Sequence, residues 1–208
     1  MTASARSGSR AQKKAARPAE ILEATFQEFL HKGYEAARVE DIAARLGISK
    51  GAVYFYFESK DVLFASMIRD LSARLMDGMA EEAAATQGPA RDRLAAFVSW
   101  LYQRLTANPR GREILRFLLA EGRRFPDLVD SHYDEFIEPV FALCRGILAD
   151  GVASGEFKPT AVELRPEVLL SPILATCFDL LMRPHRASLD GEALQGYLDA
   201  LIQGIGAS

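Results

Sequence analysis

The segment "EDIAARLGISKGAVYFYFESKD", residues 40–61, carries the most informative pattern in the sequence. Its apolar residues Ile42, Leu46 and Ile48 recur at spacings that put them on one side of two short helices, separated at Gly47. Two short helices that cross steeply need apolar residues on their shared face and a glycine able to take positive φ in the turn. The stretch therefore predicts a helix-turn-helix.

Helical patterning continues through nearly the whole chain, without an alternating strand pattern. Glycine and proline divide it into about nine helices, so we expect an all-α fold. A three-helix N-terminal domain is predicted over residues 18–58 and a C-terminal helical domain over 59–208, entered through one long helix from 59 to 85. Further helices are predicted near 89–107, 109–123, 126–153, 165–183 and 190–205.

The formal net charge of −3 hides a basic N-terminal segment. Residues 1–60 carry ten Lys and Arg against seven Asp and Glu, and residues 1–17 carry five basic side chains and no acidic one. Nucleic-acid binding depends on such local charge more than on the total. We expect residues 1–17 to be a disordered basic arm, which composition alone leaves either as a solubilising end or as a DNA contact.

Composition indicates a globular protein of the cytoplasm. No stretch has the apolar length of a signal peptide or a membrane span, so no membrane partner is expected. Cys144 and Cys177 both lie in apolar helical patterns without a C-x-x-C spacing, which favours buried reduced thiols over a disulfide or a zinc site. We expect neither a metal nor a cofactor.

The longer segment "VEDIAARLGISKGAVYFYFESKDVL", residues 39–63, resembles the DNA-binding helix-turn-helix of the tetracycline-repressor (TetR) family of bacterial transcription regulators. The similarity in motif runs from about residue 18 to residue 68, and the helical layout is similar over nearly the whole chain. The resemblance implies a homodimer that binds a palindromic operator in double-stranded DNA as a repressor. It also implies release by a small-molecule effector held in the C-terminal domain.

The resemblance places DNA contacts at the start of the second helix of the motif. Lys50 is suited to donate to guanine O6 and N7, and Ala52 to touch a thymine methyl group. Tyr54 and Tyr56 match positions that contact phosphate or bases, and Lys60 matches a phosphate-contacting lysine. The predicted DNA-binding residues are Arg38, Ser49, Lys50, Gly51, Ala52, Tyr54, Tyr56 and Lys60.

Arg38 departs from the family pattern, and Glu40 is expected to stabilise a helix rather than to contact DNA. Arg38 stands where the family usually has a hydroxyl residue, so the first helix of the motif must be capped otherwise and Arg38 would meet phosphate through its charge. Glu40 is expected to favour the helix dipole rather than to read a base.

Helical phase divides the aromatic run "AVYFYF", residues 52–57. Val53 and Phe57 fall on the face predicted for the core, whereas Tyr54 and Tyr56 are predicted to face DNA. For Phe55 the sequence leaves two locations possible, packed against the next helix or exposed to solvent.

The C-terminal domain carries more aromatic residues than a small bundle needs, and effector sites are usually apolar pockets with a few polar anchors. Most of these aromatic residues are equally explained as core, and Glu121 as an ion pair with Arg123 or Arg124. The predicted ligand-binding residues are Trp100, Phe117, Glu121, Tyr133 and Phe178.

The last two helices are apolar over so much of their girth that each must bury two faces, one on its own domain and one on a partner. Two such helices from each subunit would form a four-helix interface about a two-fold axis. The predicted dimer-interface residues are Ile173, Cys177, Leu181, Leu194, Tyr197, Leu198, Leu201 and Ile205.

Two alternatives to a ligand-released repressor remain. The chain fits a DNA-binding activator or co-regulator that responds to a protein partner. A helical enzyme with a basic N-terminal extension is the other, although the three histidines are scattered and no catalytic motif accompanies them.

Overall fold

The computed structural model describes residues 3–183 and 191–207, with side chains from Ala16 onward. Within these ranges the chain is helical, and strand-like pairing is limited to an isolated antiparallel bridge between Phe157 and Gly206. The predicted all-α class is confirmed. The α-helices are α1 (Ala3–Ala36), α2 (Val39–Arg45), α3 (Lys50–Tyr56), α4 (Lys60–Met76), α5 (Met79–Ala85), α6 (Ala90–Tyr102), α7 (Pro109–Glu121), α8 (Pro126–His132), α9 (Glu138–Ala153), α10 (Pro166–Leu169), α11 (Ser171–Met182) and α12 (Gly191–Ile205).

The chain divides into two compact units, Met1–Leu71 and Ser72–Ser208. The division falls inside α4, whereas the sequence predicts a boundary between residues 58 and 59, at the start of that helix. α1 includes residues 3–17, for which the sequence predicts a disordered arm. The basic side chains of Arg6, Arg10, Lys13 and Lys14 lie outside the described residues, so a DNA contact by the arm stays a prediction.

The N-terminal unit packs α1, α2, α3 and the start of α4 around one apolar core. α2 and α3 meet through the predicted face, and the turn between them contains Gly47, whose φ of 62° is a left-handed value that glycine adopts without a Cβ clash. The predicted helix-turn-helix is thereby confirmed. The buried core residues of this cluster are Ile21, Ala24, Val39, Ile42, Ala43, Val53, Phe57 and Leu63.

Three aromatic rings tie the end of α1 to α4. Phe29, Tyr34 and Phe64 are nearly inaccessible to solvent, and their ring centroids lie 5.0–5.6 Å apart in tilted and edge-on arrangements. The Tyr34 hydroxyl donates a hydrogen bond to the Asp61 carboxylate in the first turn of α4. Because α1 breaks at Gly33, where φ is 74°, Tyr34 can turn back toward this cluster.

The predicted long helix from 59 to 85 is two helices, and that prediction is wrong. α4 ends at Met76, and Gly78 has a φ of 82° before α5 begins. A single left-handed residue ends an α-helix, and glycine takes this conformation without steric cost. α4 is therefore about 25 Å long at 1.5 Å per residue, instead of the roughly 40 Å expected.

The C-terminal unit is a helical bundle whose core lies between α6, α9 and α12. Proline occupies the first turn of α7, α8, α9, α10 and α11, where its missing N–H costs no helical hydrogen bond. Single π-helical turns, Gln103–Ala107 and Tyr133–Ile137, extend α6 and join α8 to α9. Cys144 and Cys177 are buried free thiols, as predicted. No helix in the described part of the chain is both long and apolar enough to cross a membrane.

Candidate nucleic-acid interface

Ser49 determines where α3 begins. Its Oγ accepts a hydrogen bond from the backbone N–H of Ala52 at 3.1 Å, which is the role of an N-cap hydroxyl. The next residue, Lys50, is the first of the helix, and Gly51 follows it in the exposed first turn. A Cβ built on Gly51 would meet only the Ser49 Oγ, at 3.8 Å, so packing within the protomer does not require a glycine here.

In the aromatic run from residue 53 to residue 57, the two residues predicted to face the core do so. Val53 is completely buried and Phe57 is 8% exposed, so both belong to the core. Tyr54 is exposed, and Tyr56 is half-buried against the core of the N-terminal unit. Phe55, which the sequence left open, is 74% exposed and packs edge-on against the Tyr56 ring with centroids 5.1 Å apart.

Lys50 is held in place from two sides. Its Nζ lies 2.6 Å from Oε1 of Glu40, in the first turn of α2, and 5.5 Å from the ring centroid of Tyr54. The hydrogen bond from Lys50 lowers the pKa of Glu40, and the same bond raises the pKa of Lys50. The basic group at the start of α3 is therefore paired with an acidic group on the neighbouring helix.

The other two basic residues predicted to contact DNA lie at helix starts. Lys60 begins α4, where its Nζ donates to the carbonyl oxygen of Glu35 at 3.2 Å and lies 4.5 Å from the Tyr34 ring centroid. Arg38 is exposed at the N-cap of α2 and makes no side-chain capping bond. Acidic residues in the first turn of α2 favour its dipole in the absence of a side-chain cap.

A buried ionic cluster, which sequence reasoning missed, joins α1 to α2. The Glu28 side chain is 2% exposed, with Arg45 Nε donating to one carboxylate oxygen at 2.8 Å and Lys32 Nζ 2.6 Å from the other. Lys32 also pairs with Asp41 at 2.9 Å. Burial alone would raise the pKa of Glu28, but Lys32 and Arg45 outweigh it and lower that pKa below its usual value. The signal in the sequence was an acidic residue on an otherwise apolar helix face.

Replacing Glu28 by Gln is expected to reduce stability near neutral pH and to matter little in acid. Because the folded-state pKa is lowered, the ionised carboxylate stabilises the fold above its unfolded pKa of about 4.3, and this contribution is lost as the pH falls through the folded value. Thermal melts of wild type and Glu28→Gln should differ most at about pH 7 and converge as the pH falls below the lowered pKa of the folded state. The exposed Glu58→Gln is the control, and an equal difference at both pH values would contradict the prediction.

In the C-terminal unit, a surface groove of about 570 Å³ lies beside α6 and its π-helical turn. Trp100 lines it, and the Arg104 guanidinium lies 5.1 Å from the Trp100 ring centroid while donating to the Asp77 carbonyl oxygen at 2.9 Å. The remaining lining residues are Glu82, Ala96, Ser99, Gln103, Ala107 and Asn108.

The other four predicted ligand residues lie elsewhere. Phe117 is buried, and the Arg116 guanidinium lies 4.4 Å from its ring centroid. Glu121 is half-buried at the end of α7, where its carbonyl oxygen accepts from two backbone N–H groups. Tyr133 and Phe178 are both exposed. The structure thus brings Trp100 alone, of the five, to the groove.

Two family models match the chain. One, described as bacterial regulatory proteins of the tetR family, matches residues 21–67, and the other, described as a tetracyclin repressor-like C-terminal domain, matches residues 84–201. The second match covers more than half of the chain. The chain belongs to the TetR family. TetR proteins are DNA-binding transcriptional regulators and not enzymes, which removes the helical-enzyme alternative.

TetR-family relatives match over most of the chain. The fatty acid metabolism regulator protein of Bacillus subtilis is 25% identical over 187 residues, which are 89% of this chain and 94% of that protein. A TetR transcription regulator from Haloarcula marismortui has a TM-score of 0.73 at 20% identity, covering 92% of this chain and 99% of that one. FadR from Bacillus subtilis, solved in complex with stearoyl-CoA, has a TM-score of 0.63 at 21% identity, covering 89% of this chain and 98% of that one. The two solved structures share the TetR fold with this chain.

The predicted dimer residues of this TetR protein occupy two environments. Half of them, Ile173, Cys177, Leu198 and Ile205, are at most 7% exposed. They belong to the protomer's own packing, because α11 and α12 turn these faces inward, and little of their surface is left for a partner. The half-buried members are Leu181, Leu194, Tyr197 and Leu201.

A different face of α11 is open to solvent. Leu174, Phe178 and Met182 follow one another at intervals of four residues and are 52%, 55% and 68% exposed. This outer stripe of α11 includes Phe178, which the sequence predicted to line a ligand pocket. The four-residue spacing is present in the sequence, but apolar residues also lie on the opposite side of the same helix. The sequence therefore did not show which side would be exposed.

Proposed function

We propose that this protein is a homodimeric repressor that binds a palindromic operator and is released by a small, largely apolar ligand. The observation that carries the proposal is the outward surface of α3, on which Lys50, Gly51 and Tyr54 are exposed while Val53 anchors the helix in the core. A short helix presented in this way fits the major groove of B-DNA.

Each exposed group on α3 is suited to a specific contact with DNA. The absence of a side chain at Gly51 allows the helix to approach the groove floor, and nothing within the protomer requires that absence. The ammonium of Lys50 is a donor for guanine acceptors, and the hydroxyl of Tyr54 is a donor for a phosphate oxygen. Arg38 and Lys60 add positive charge beside the phosphate backbone.

The outer stripe of α11 supports dimerisation. Three large apolar side chains in a row on one exposed helix face are a surface that a second protein covers, and self-association about a two-fold axis is the commonest such arrangement. We propose that the stripe of one protomer packs on that of its partner, with Leu181, Leu194, Tyr197 and Leu201 at the margins. Two recognition helices reach successive major grooves when they are 34–36 Å apart.

The groove beside Trp100 supports an effector site in the C-terminal unit. Its wall combines an indole ring with the charged groups of Glu82 and Arg104, as a pocket for an apolar molecule with a polar end requires. FadR from Bacillus subtilis was solved in complex with stearoyl-CoA, which supports the proposal of a largely apolar effector. A ligand that binds better to a state with another spacing of the recognition helices lowers operator affinity by shifting the population.

Operator binding is tested by fluorescence anisotropy on the DNA upstream of the protein's own gene. Wild type should bind it specifically, and Tyr54→Ala should bind about ten-fold more weakly through loss of one charge-assisted hydrogen bond. Leu30→Ala, which truncates a comparably exposed residue of α1, is the matched control. Absence of specific binding by wild type would refute the proposed function, and full affinity of Tyr54→Ala would refute the role of that residue.

The direction of regulation is tested in cells. Deleting the gene should raise expression from the bound promoter if the protein is a repressor. A fall in expression would instead support the activator alternative.

A further inference from the structure

The ion pair between Glu40 and Lys50 connects the two helices of the motif at the surface. The two charged atoms are 2.6 Å apart, and the side chains are 55% and 48% exposed. Exposed ion pairs contribute little to stability in water, so holding α2 against α3 is a poor explanation for this one. The buried Glu28 cluster already makes a polar link from α1 to α2.

The pair is held in a defined position. The Ser49 cap orients the backbone of Lys50, and the Tyr54 ring lies 5.5 Å from its ammonium. Glu40 is in the first turn of α2, where the helix dipole favours a carboxylate. The lowered pKa of Glu40, caused first by its hydrogen bond from Lys50, keeps this carboxylate ionised. A donor and an acceptor are therefore presented side by side at the start of the recognition helix.

We propose that Glu40 and Lys50 read one G·C base pair as a unit. Lys50 donates to O6 and N7 of guanine, and Glu40 accepts from the N4 amino group of the paired cytosine. This inference rests on the proposed function, because it assumes that α3 enters the major groove.

The complementarity follows from the order of groups in the major groove. A G·C pair presents two adjacent acceptors on guanine and then the cytosine amino donor. An ammonium next to a carboxylate matches that order, with all three groups satisfied. An A·T pair presents an acceptor, a donor and another acceptor, so the same two side chains lose at least one hydrogen bond. The carboxylate also repels phosphates, which keeps Lys50 on the base edge.

The test begins with selection of binding sites for the full-length wild-type protein from a pool of random-sequence duplexes. Anisotropy titrations then measure wild type, Glu40→Gln and Asp41→Asn on the selected duplex and on each of its single base-pair variants. Asp41→Asn is the matched control, because it removes the same charge one residue along α2 from a carboxylate that pairs with Lys32. Thermal melts verify that both variants fold.

We expect one G·C pair in each half-site whose replacement by A·T weakens wild-type binding about ten-fold or more. In Glu40→Gln this penalty should fall to about two-fold at that base pair alone, because an amide both donates and accepts and so tolerates the thymine O4 that replaces the cytosine amino group. Asp41→Asn should keep the wild-type profile.

Three outcomes would overturn the inference: a Glu40→Gln profile identical to wild type, uniform weakening at every base pair, or the same change in Asp41→Asn. If wild type selects no palindromic sequence, the proposed function fails first. A wild type that selects a palindrome while Glu40→Gln leaves its profile unchanged refutes this inference alone.

Discussion

Phe178→Glu is expected to convert the protein to a monomer and to remove tight operator binding. Phe178 is the central residue of the outer stripe of α11, between Leu174 and Met182, so a carboxylate there would be buried without a partner in any interface formed by that stripe. A monomer binds each half-site separately and loses the effective concentration that links the two events. The expected loss in operator affinity is on the order of 10²–10⁴-fold.

Light scattering after size-exclusion chromatography measures the first effect, and anisotropy on the operator measures the second. The control is Val162→Glu, which introduces the same charge at a similarly exposed valine in the short 3₁₀ turn Pro159–Glu163. A Phe178→Glu protein with the mass of a dimer would show that the two subunits pack on another surface.

Phe29→Ala is expected to destabilise the N-terminal unit strongly and to weaken DNA binding. Phe29 is completely buried, with its ring 5.6 Å from those of Tyr34 and Phe64. Truncating a buried phenylalanine typically costs about 3–5 kcal/mol, and a whole domain is stable by only about 5–15 kcal/mol. The loss of binding would thus come from the fold, in contrast to that of Tyr54→Ala.

Differential scanning calorimetry and anisotropy distinguish these two routes. Phe29→Ala should lower the unfolding temperature together with DNA affinity, whereas Tyr54→Ala should lower affinity at an unchanged unfolding temperature. Phe29→Leu, which keeps most of the buried volume, should fall between wild type and Phe29→Ala. An unfolding profile of Phe29→Ala that superimposes on wild type would contradict the assigned role of the aromatic cluster.

Predictions from local pattern were the accurate ones. The break at Gly47 and the inward phase of Val53 and Phe57 follow from residues a few positions apart, and the structure confirms both predictions. The prediction of one long helix from 59 to 85 was wrong, although it also rested on local pattern. Its apolar spacing continues across Gly78, and a glycine within a helical pattern does not reveal from sequence whether it will take a left-handed φ.

Predictions of which helix face is buried, and of which side chains meet in the fold, were less accurate. On α11 two apolar faces compete for the interior. Cys177 lies on the face that is buried, where its thiol donates to the carbonyl oxygen of Leu105, 72 residues earlier. The face with Phe178 is consequently left outside. Glu40 was assigned to the helix dipole, but the fold places it against Lys50, ten residues along the chain.

Local pattern was sufficient to predict the all-α class, the helix-turn-helix and the resemblance to the TetR family, because helical periodicity and turn glycines act between near neighbours. Three features became visible in the folded chain alone: the burial of the Glu28 ion pairs, the exposure of Phe55, and the open face of α11 formed by Leu174, Phe178 and Met182. Burial and ion pairing depend on residues that are distant along the chain, and these are brought together by the fold without being specified by local pattern.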